Sequence, residues 1–132
     1  MTADEGFRAL DRLVRPRSVA IVGASDDPTR IGGRPLAYMR ARSFAGSLLP
    51  VNPNRAQVQG LPAFPNVDAL PEVPDLAVIA VPGQAAEDAV RSLAARGCRA
   101  AIVFTAGYAE VGEAGAAAQA RLVAAARAGG MR

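Results

Sequence analysis

Histidine and lysine are absent from this chain, and its 132 residues include one cysteine. Without an imidazole to move protons or an amine to act as a nucleophile, the chain lacks two of the commonest catalytic groups. The composition therefore predicts a binding domain with no catalytic residue, rather than a complete enzyme. Cys98 has no second cysteine with which to form an internal disulfide, which favours a cytoplasmic location. Because no histidine is present to activate it, we interpret Cys98 as a buried structural thiol.

Aromatic residues are also scarce, at 5% of a chain that is 51% hydrophobic, so the core must consist mainly of Val, Leu, Ile and Ala. No apolar run approaches the roughly 20 residues of a membrane span, and the charged stretch 1–17 contains no signal-peptide core. The net charge is +3, yet no alternation of basic and aromatic residues accompanies it. We therefore predict no membrane partner and no nucleic-acid partner. We also predict no metal site, because Asp26 and Asp27 alone supply too few ligands.

Short apolar runs alternate with helical patterns along the whole chain. Strands are predicted over 18–23, 47–51, 75–81 and 99–105, with a brief edge strand within 60–64, and helices over 6–14, 34–42, 84–96 and 113–128. Uninterrupted β-branched runs are typical of buried parallel strands, and their alternation with helices favours right-handed crossovers. We therefore predict one Rossmann-like α/β domain over 1–132: a doubly wound, mostly parallel sheet with helices on both faces. Because a helix and Gly129-Gly130 would introduce another strand, we expect the amino-terminal part of a longer protein.

Small residues follow the first predicted strand and precede the next helix; they are Gly23, Ala24, Ser25, Gly32 and Gly33. They would let a phosphate approach the backbone, where a helix start also supplies unpaired N–H groups. The pattern departs from G-x-G-x-x-G, because Ser25 and Pro28 occupy the second and third glycine positions. A tight turn with no ligand is the alternative interpretation.

The end of the second predicted strand carries no acidic residue; it reads Asn52, Pro53, Asn54, Arg55. Nicotinamide dinucleotide sites normally place Asp or Glu there, where it holds the ribose hydroxyls. An arginine instead favours a ribose that bears a phosphate, as in NADP or coenzyme A, because a guanidinium can grip phosphate with two donors. Alternatively, Asn52-Pro53 makes a simple turn and Arg55 is solvated.

Two further strand ends complete the predicted crevice. Val81 and Pro82 end the third main strand just before a helix, and Thr105, Ala106 and Gly107 follow the fourth. In open α/β sheets, ligands bind at the carboxyl ends of the strands. The small residues after the fourth strand would leave room for an extended ligand arm.

These four segments, in this order, resemble the CoA-binding domain of NDP-forming (ADP-forming) acyl-CoA synthetases, the acetate–CoA ligase family related to the succinyl-CoA synthetase α subunit. The resemblance covers about residues 15 to 130 and implies that the domain holds coenzyme A across the strand ends. It implies that Gly23–Ser25 and Ile31–Gly33 hold phosphates and that Arg30 is also among the residues that bind the cofactor. Asn52–Arg55 would flank the adenosine and its 3′-phosphate, and Val81, Pro82 and Thr105–Gly107 would line the adenine or the pantetheine arm.

The resemblance also implies what this chain does not do. The family's reaction makes acyl-CoA from a carboxylate, CoA and a nucleoside triphosphate, using a phosphorylated histidine in a later domain, so ATP and Mg would belong to other domains. CoA or acyl-CoA and the remaining domains or subunit of the synthetase are the expected partners, and a homo-oligomer is compatible with the sequence. Alternatives are the acyl-CoA-sensing half of a synthetase-like protein lysine acetyltransferase and a stand-alone CoA-binding regulatory module. An NADP-linked oxidoreductase is disfavoured by the broken glycine fingerprint.

Overall fold

A four-stranded parallel sheet forms the centre of the molecule. The computed structural model describes residues 15–104 and 112–131. The four strands of the sheet are β1 (Ser18–Val22), β2 (Ser47–Val51), β5 (Leu76–Ile79) and β6 (Ala100–Val103), in the spatial order β2-β1-β5-β6. The chain leaves β1 toward β2 and later returns to the other side of β1. The carboxyl end of β1 therefore lies where the strand order reverses, which is where open α/β sheets bind ligands.

Helices cover both faces of this sheet, as predicted. They are α1 (Arg34–Ala41), α2 (Gly83–Ala95) and α3 (Glu113–Ala128), together with a short 3-10 helix at Val67–Ala69. Successive residues of a strand point to opposite faces, and β1 is buried along its whole length. Val19 and Ile21 pack in the cluster that contains Leu36 of α1, whereas Ala20 and Val22 pack in the cluster that contains residues of α2 and α3. The Rossmann-like three-layer fold is confirmed, although the predicted helix over 6–14 lies outside the described residues.

A small hairpin lies beside the sheet and was predicted only in part. It consists of β3 (Gln57–Val58) and β4 (Leu61–Pro62), paired antiparallel. Gln59 and Gly60 connect them, with φ of 49° and 80°. Two left-handed residues are what a two-residue hairpin turn requires. The edge strand expected within 60–64 is thus split: Leu61–Pro62 belongs to the hairpin, while Phe64 makes a single parallel bridge to Val51 of β2.

The far end of the sheet, at the amino end of β6, is built for packing. Gly97 ends α2 with a φ of 96°, the left-handed conformation expected of a helix-ending glycine. Cys98 follows it, fully buried, and its thiol donates to the carbonyl oxygen of Ala100 at 3.4 Å. The structural thiol interpretation agrees with this burial. Within 15–104 and 112–131, no helix is long and apolar enough to cross a membrane.

Candidate functional site

A cavity of about 900 Å³ opens at the carboxyl ends of β1 and β2. Its volume falls in the range that small-molecule and cofactor sites occupy. Its walls come from the loop after β1, the turn after β2 and the end of β5. The lining residues are Gly23, Ala24, Ser25, Asp26, Asp27, Thr29, Arg30, Ile31, Gly32, Asn52, Arg55 and Ala80.

The loop from 23 to 33 folds closely back on itself. The N–H groups of Gly23 and Ala24 both donate to the carbonyl oxygen of Val51, at 3.1 and 3.2 Å, which fixes the start of the loop against β2. The N–H of Ser25 donates to the carbonyl oxygen of Gly32 at 3.1 Å and closes the loop. A Cβ on Gly32 would lie 1.9 Å from the Gly23 carbonyl oxygen, so no other residue fits there without displacing backbone. The glycine at 32 is therefore required by the close approach of two backbone segments.

Side chains inside the loop reinforce this shape. The carboxylate of Asp27 accepts from the hydroxyl of Thr29 at 2.7 Å and from its backbone N–H at 2.9 Å. These two hydrogen bonds, the hydroxyl's foremost, lower the pKa of Asp27 below its ordinary value. The N–H of Asp27 itself donates to the Ser25 hydroxyl at 3.1 Å. Asp27 thus organises the loop that forms one wall of the cavity.

Asn52 connects the turn after β2 to the same loop. Its side-chain amide donates to the carbonyl oxygen of Ala24 at 3.0 Å, and its side-chain oxygen accepts from the N–H of Asn54 at 2.7 Å. Both ends of the Asn52 side chain therefore hold backbone in place. This arrangement brings the turn that carries Arg55 next to the loop after β1.

The charged groups of the cavity form two loose ion pairs. Arg55 lies 3.6 Å from a carboxylate oxygen of Asp26, and Arg30 lies 3.7 Å from one of Asp27. Both arginine side chains are more than half exposed, at 55% and 76%. Exposed pairs of this kind contribute little to stability, and a guanidinium carries five donors. Both arginines can therefore turn toward an anionic ligand in the cavity.

The structure brings half of the sequence-predicted site residues together at this cavity. Those that line it are Gly23, Ala24, Ser25, Arg30, Ile31, Gly32, Asn52 and Arg55. Five further predicted residues do not line the cavity, although each is within two positions in sequence of a residue that does: Gly33, Pro53, Asn54, Val81 and Pro82. Gly33 is the N-cap residue of α1 and Pro82 is that of α2, while Val81 packs against the core. Thr105, Ala106 and Gly107 lie outside the described residues.

Sequence reasoning missed several residues of the site. Thr29 and Ala80 line the cavity, and so do Asp26 and Asp27, which were considered from the sequence only as metal ligands. Gln59, from the hairpin turn, donates its side-chain amide to the loop after β1. The Gln-Gly pair between two short apolar runs was the available signal, because glycine marks a hairpin turn. Among the residues that the structure describes, no group of three or more His, Cys, Asp or Glu could hold a metal ion.

The chain is similar to known proteins over nearly its whole length. Residues 17–132 match a family model described as a CoA binding domain. The chain is 43% identical over 122 residues to trans-feruloyl-CoA synthase FCS1 from an unknown prokaryotic organism, covering 92% of this chain and 17% of that protein. It is 33% identical over 123 residues to the α subunit of acetate–CoA ligase [ADP-forming] II from Pyrococcus furiosus, covering 93% of this chain and 27% of that subunit.

A solved structure shows the same fold at useful identity. The apo form of the dinucleotide-forming acetyl-coenzyme A synthetase 1 of Ca. Korarchaeum cryptofilum superposes with a TM-score of 0.86 at 36% identity, over 93% of this chain and 26% of that one. This chain therefore spans about a quarter or less of the length of the curated relatives named above. The chain belongs to the family of CoA-binding domains, in the form found in ADP-forming acyl-CoA synthetases.

Proposed function

We propose that the cavity at the ends of β1 and β2 is where this domain binds coenzyme A, and that the loop from 23 to 33 faces the diphosphate. The observation that carries this proposal is the convergence of Arg30 and Arg55 on a cavity of which one wall is the glycine-containing loop after β1. Small residues leave room for phosphate oxygens beside the backbone of this loop. Arginine adds paired donors for the same oxygens.

Arg55 is the residue that we assign to the 3′-phosphate of the ribose. It follows β2, where dinucleotide-binding proteins select between a ribose hydroxyl and a ribose phosphate. No acidic residue stands in the segment Asn52–Arg55, and the nearest carboxylate partner of Arg55 is Asp26, from the opposite wall. A 3′-phosphate placed between these walls would replace Asp26 as the partner of the Arg55 guanidinium.

In its full-length setting, we propose that the domain delivers CoA to an ADP-forming acid–CoA ligase. The relatives named above differ in the acid that their names give, feruloyl in one and acetate in the other, yet both share this domain. CoA is the substrate that both names share, so we assign the binding of the acid, ATP and Mg to other domains or subunits. A cytoplasmic location and self-association remain predictions.

Calorimetric titration of this chain with CoA, dephospho-CoA, NADH and NADPH tests the proposal. We expect heat of binding for CoA, weaker binding for dephospho-CoA and none for the two nicotinamide dinucleotides. Binding of NADPH in preference to CoA would overturn the assignment of the ligand. Absence of all four heats from a folded sample would show that this chain does not form the site.

Arg55→Ala tests the assignment within the site. Hydrogen bonds between charged groups contribute about 1.5–3 kcal/mol each, so loss of the guanidinium should weaken CoA binding by about tenfold or more. Dephospho-CoA should be nearly unaffected, so the preference for CoA should disappear. Arg91→Ala is the matched control, because Arg91 carries the same charge but pairs with Glu87 on α2 at 2.7 Å. An unchanged ratio of CoA to dephospho-CoA affinity in Arg55→Ala would remove the assignment.

A further inference from the structure

Gln59 lies at the tip of the β3–β4 hairpin and reaches into the back of the loop from 23 to 33. Its side-chain amide donates to the carbonyl oxygens of both Ser25 and Gly33, each at 3.0 Å. Its backbone N–H donates to a carboxylate oxygen of Asp26 at 2.7 Å. One residue therefore contacts the loop from 23 to 33 near its start, at Ser25 and Asp26, and at its end, at Gly33.

The hairpin that presents Gln59 is itself firmly anchored. Val58, the preceding residue, is fully buried in the same cluster as Ile21 and Leu36, beneath α1. From α1, the guanidinium of Arg40 donates to the carbonyl oxygen of Gln59. The tip is thus fixed from the core side and from the helix side. Because the hairpin tip is fixed, the Gln59 side chain can hold the loop from 23 to 33 in one conformation. A side chain on a mobile hairpin would move together with the loop.

The backbone at Gln59 also indicates that its side chain is used. Its φ is 49°, in the left-handed region, where Gly and Asn are the favoured residues and other side chains are strained. A glycine at 59 would suit the hairpin turn better. The turn itself therefore does not require a glutamine at this position. What the glutamine side chain adds is its two hydrogen bonds to the loop, which glycine could not make.

We propose that Gln59 is a positioning residue, which holds the loop from 23 to 33 in the shape that receives the diphosphate of CoA. This inference rests on the proposed function for the identity of the ligand. Gln59 does not line the cavity, so it acts through the loop backbone. Its loss should loosen the loop and weaken every ligand that carries the diphosphate, without regard to the 3′-phosphate.

Gln59→Gly separates this role from hairpin stability, because it removes the amide while it relieves the strained φ. Gln57→Ala is the control, an exposed glutamine two residues away on the same hairpin. We expect Gln59→Gly to raise the Kd for CoA and for dephospho-CoA by the same factor, about tenfold, for two lost hydrogen bonds. Amide hydrogen exchange should accelerate in the peptide that spans 25–33, and the thermal midpoint should change little. Gln57→Ala should match the wild type in all of these.

Each outcome decides a definite point. Unchanged exchange in the loop of Gln59→Gly, or unchanged affinity for both ligands, overturns the proposal. A loss confined to CoA, with dephospho-CoA unaffected, also overturns it, since that pattern belongs to the 3′-phosphate and to Arg55. If the wild type binds no CoA, the proposed function fails, and the exchange of residues 25–33 still decides whether Gln59 holds the loop.

Discussion

Replacing Gly32 with alanine tests whether the close fold of the loop after β1 is needed for binding. The new methyl group would lie 1.9 Å from the carbonyl oxygen of Gly23 and 3.0 Å from its carbonyl carbon. Both atoms belong to backbone, so no side-chain rotation can relieve the contact. The Gly23 carbonyl oxygen would have to retreat by about 1.5 Å to reach the 3.4 Å at which ordinary contact begins. Gly23 has little freedom to do so, because its N–H is bonded to Val51 and its own Cβ position is filled by Val81 and Ala80.

Overpacking of this kind costs about 1–3 kcal/mol of the free energy of unfolding. For a domain of this size, that loss lowers the thermal midpoint by about 4–12 °C. Because the displaced atoms form the cavity wall, we also expect the Kd for CoA to rise by about tenfold or more in Gly32→Ala. Urea denaturation and calorimetric titration measure the two effects separately.

Gly97→Ala is the matched control for this experiment. Gly97 has a φ of 96° and no heavy atom within 4 Å of its Cβ position, so alanine there costs about 1–2 kcal/mol in backbone strain with no steric clash. It lies at the amino end of β6, at the opposite edge of the sheet from the cavity. We expect a similar loss of stability with unchanged CoA affinity. Equal weakening of CoA binding in the two variants would refute the reasoning, and so would wild-type behaviour of Gly32→Ala.

Two further substitutions test the charges of the cavity. Asp26→Asn keeps an acceptor for the hairpin but removes the charge that pairs with Arg55 at 3.6 Å. Since exposed pairs contribute about 0.2–1 kcal/mol, titration at low salt should show CoA binding up to about fivefold tighter. Equal or weaker binding would contradict the idea that Asp26 and the 3′-phosphate compete for Arg55. Thr29→Val removes the stronger of the two hydrogen-bond donors to Asp27, so the pKa of that carboxyl should rise toward its ordinary value of 3.8. Because folding lowers this pKa, Asp27 contributes to stability above its ordinary value and the contribution is lost as the pH falls through the lowered one. A carbon-detected NMR titration of Asp27 checks the shift, and identical midpoints in wild type and variant would falsify it.

The regular elements could be predicted closely wherever the chain carries a clear local signal. The strand at 47–51 and the helix at 113–128 have the bounds that the sequence indicated. The strand predicted over 75–81 is shorter, Leu76–Ile79, and it ends three residues before Pro82, the N-cap residue of α2. Asn66 caps the short 3-10 helix in a similarly local way, because its side chain accepts from the N–H of Ala69 at 2.9 Å. Such features can be predicted because the residues that form them lie within a few positions of each other in the sequence.

The site could be predicted only where it depends on the same kind of local signal. The glycine-containing turn after β1 and the arginine after β2 both line the cavity, as their positions at strand ends suggested. Gln59 could not be found in this way, because its contact with Gly33 joins residues 26 positions apart. That contact depends on how Val58 packs beneath α1, and the sequence around residue 59 does not indicate this packing. A hairpin turn was predictable in principle, but the loop that it touches was not.

The presence of two aspartates in a cavity for a polyanion also has a structural reason. Asp26 accepts the backbone N–H of Gln59, and Asp27 accepts two hydrogen bonds from Thr29, so both carboxylates hold the loop in shape. The same carboxylates lie within 4 Å of the two cavity arginines, which keeps each guanidinium near the cavity. Phosphate oxygens would therefore meet arginines already in place, at the cost of displacing exposed and weak pairs. The acidic residues reduce the net positive charge of the cavity but prepare its geometry, and Asp26→Asn removes one charge while it keeps the acceptor for Gln59.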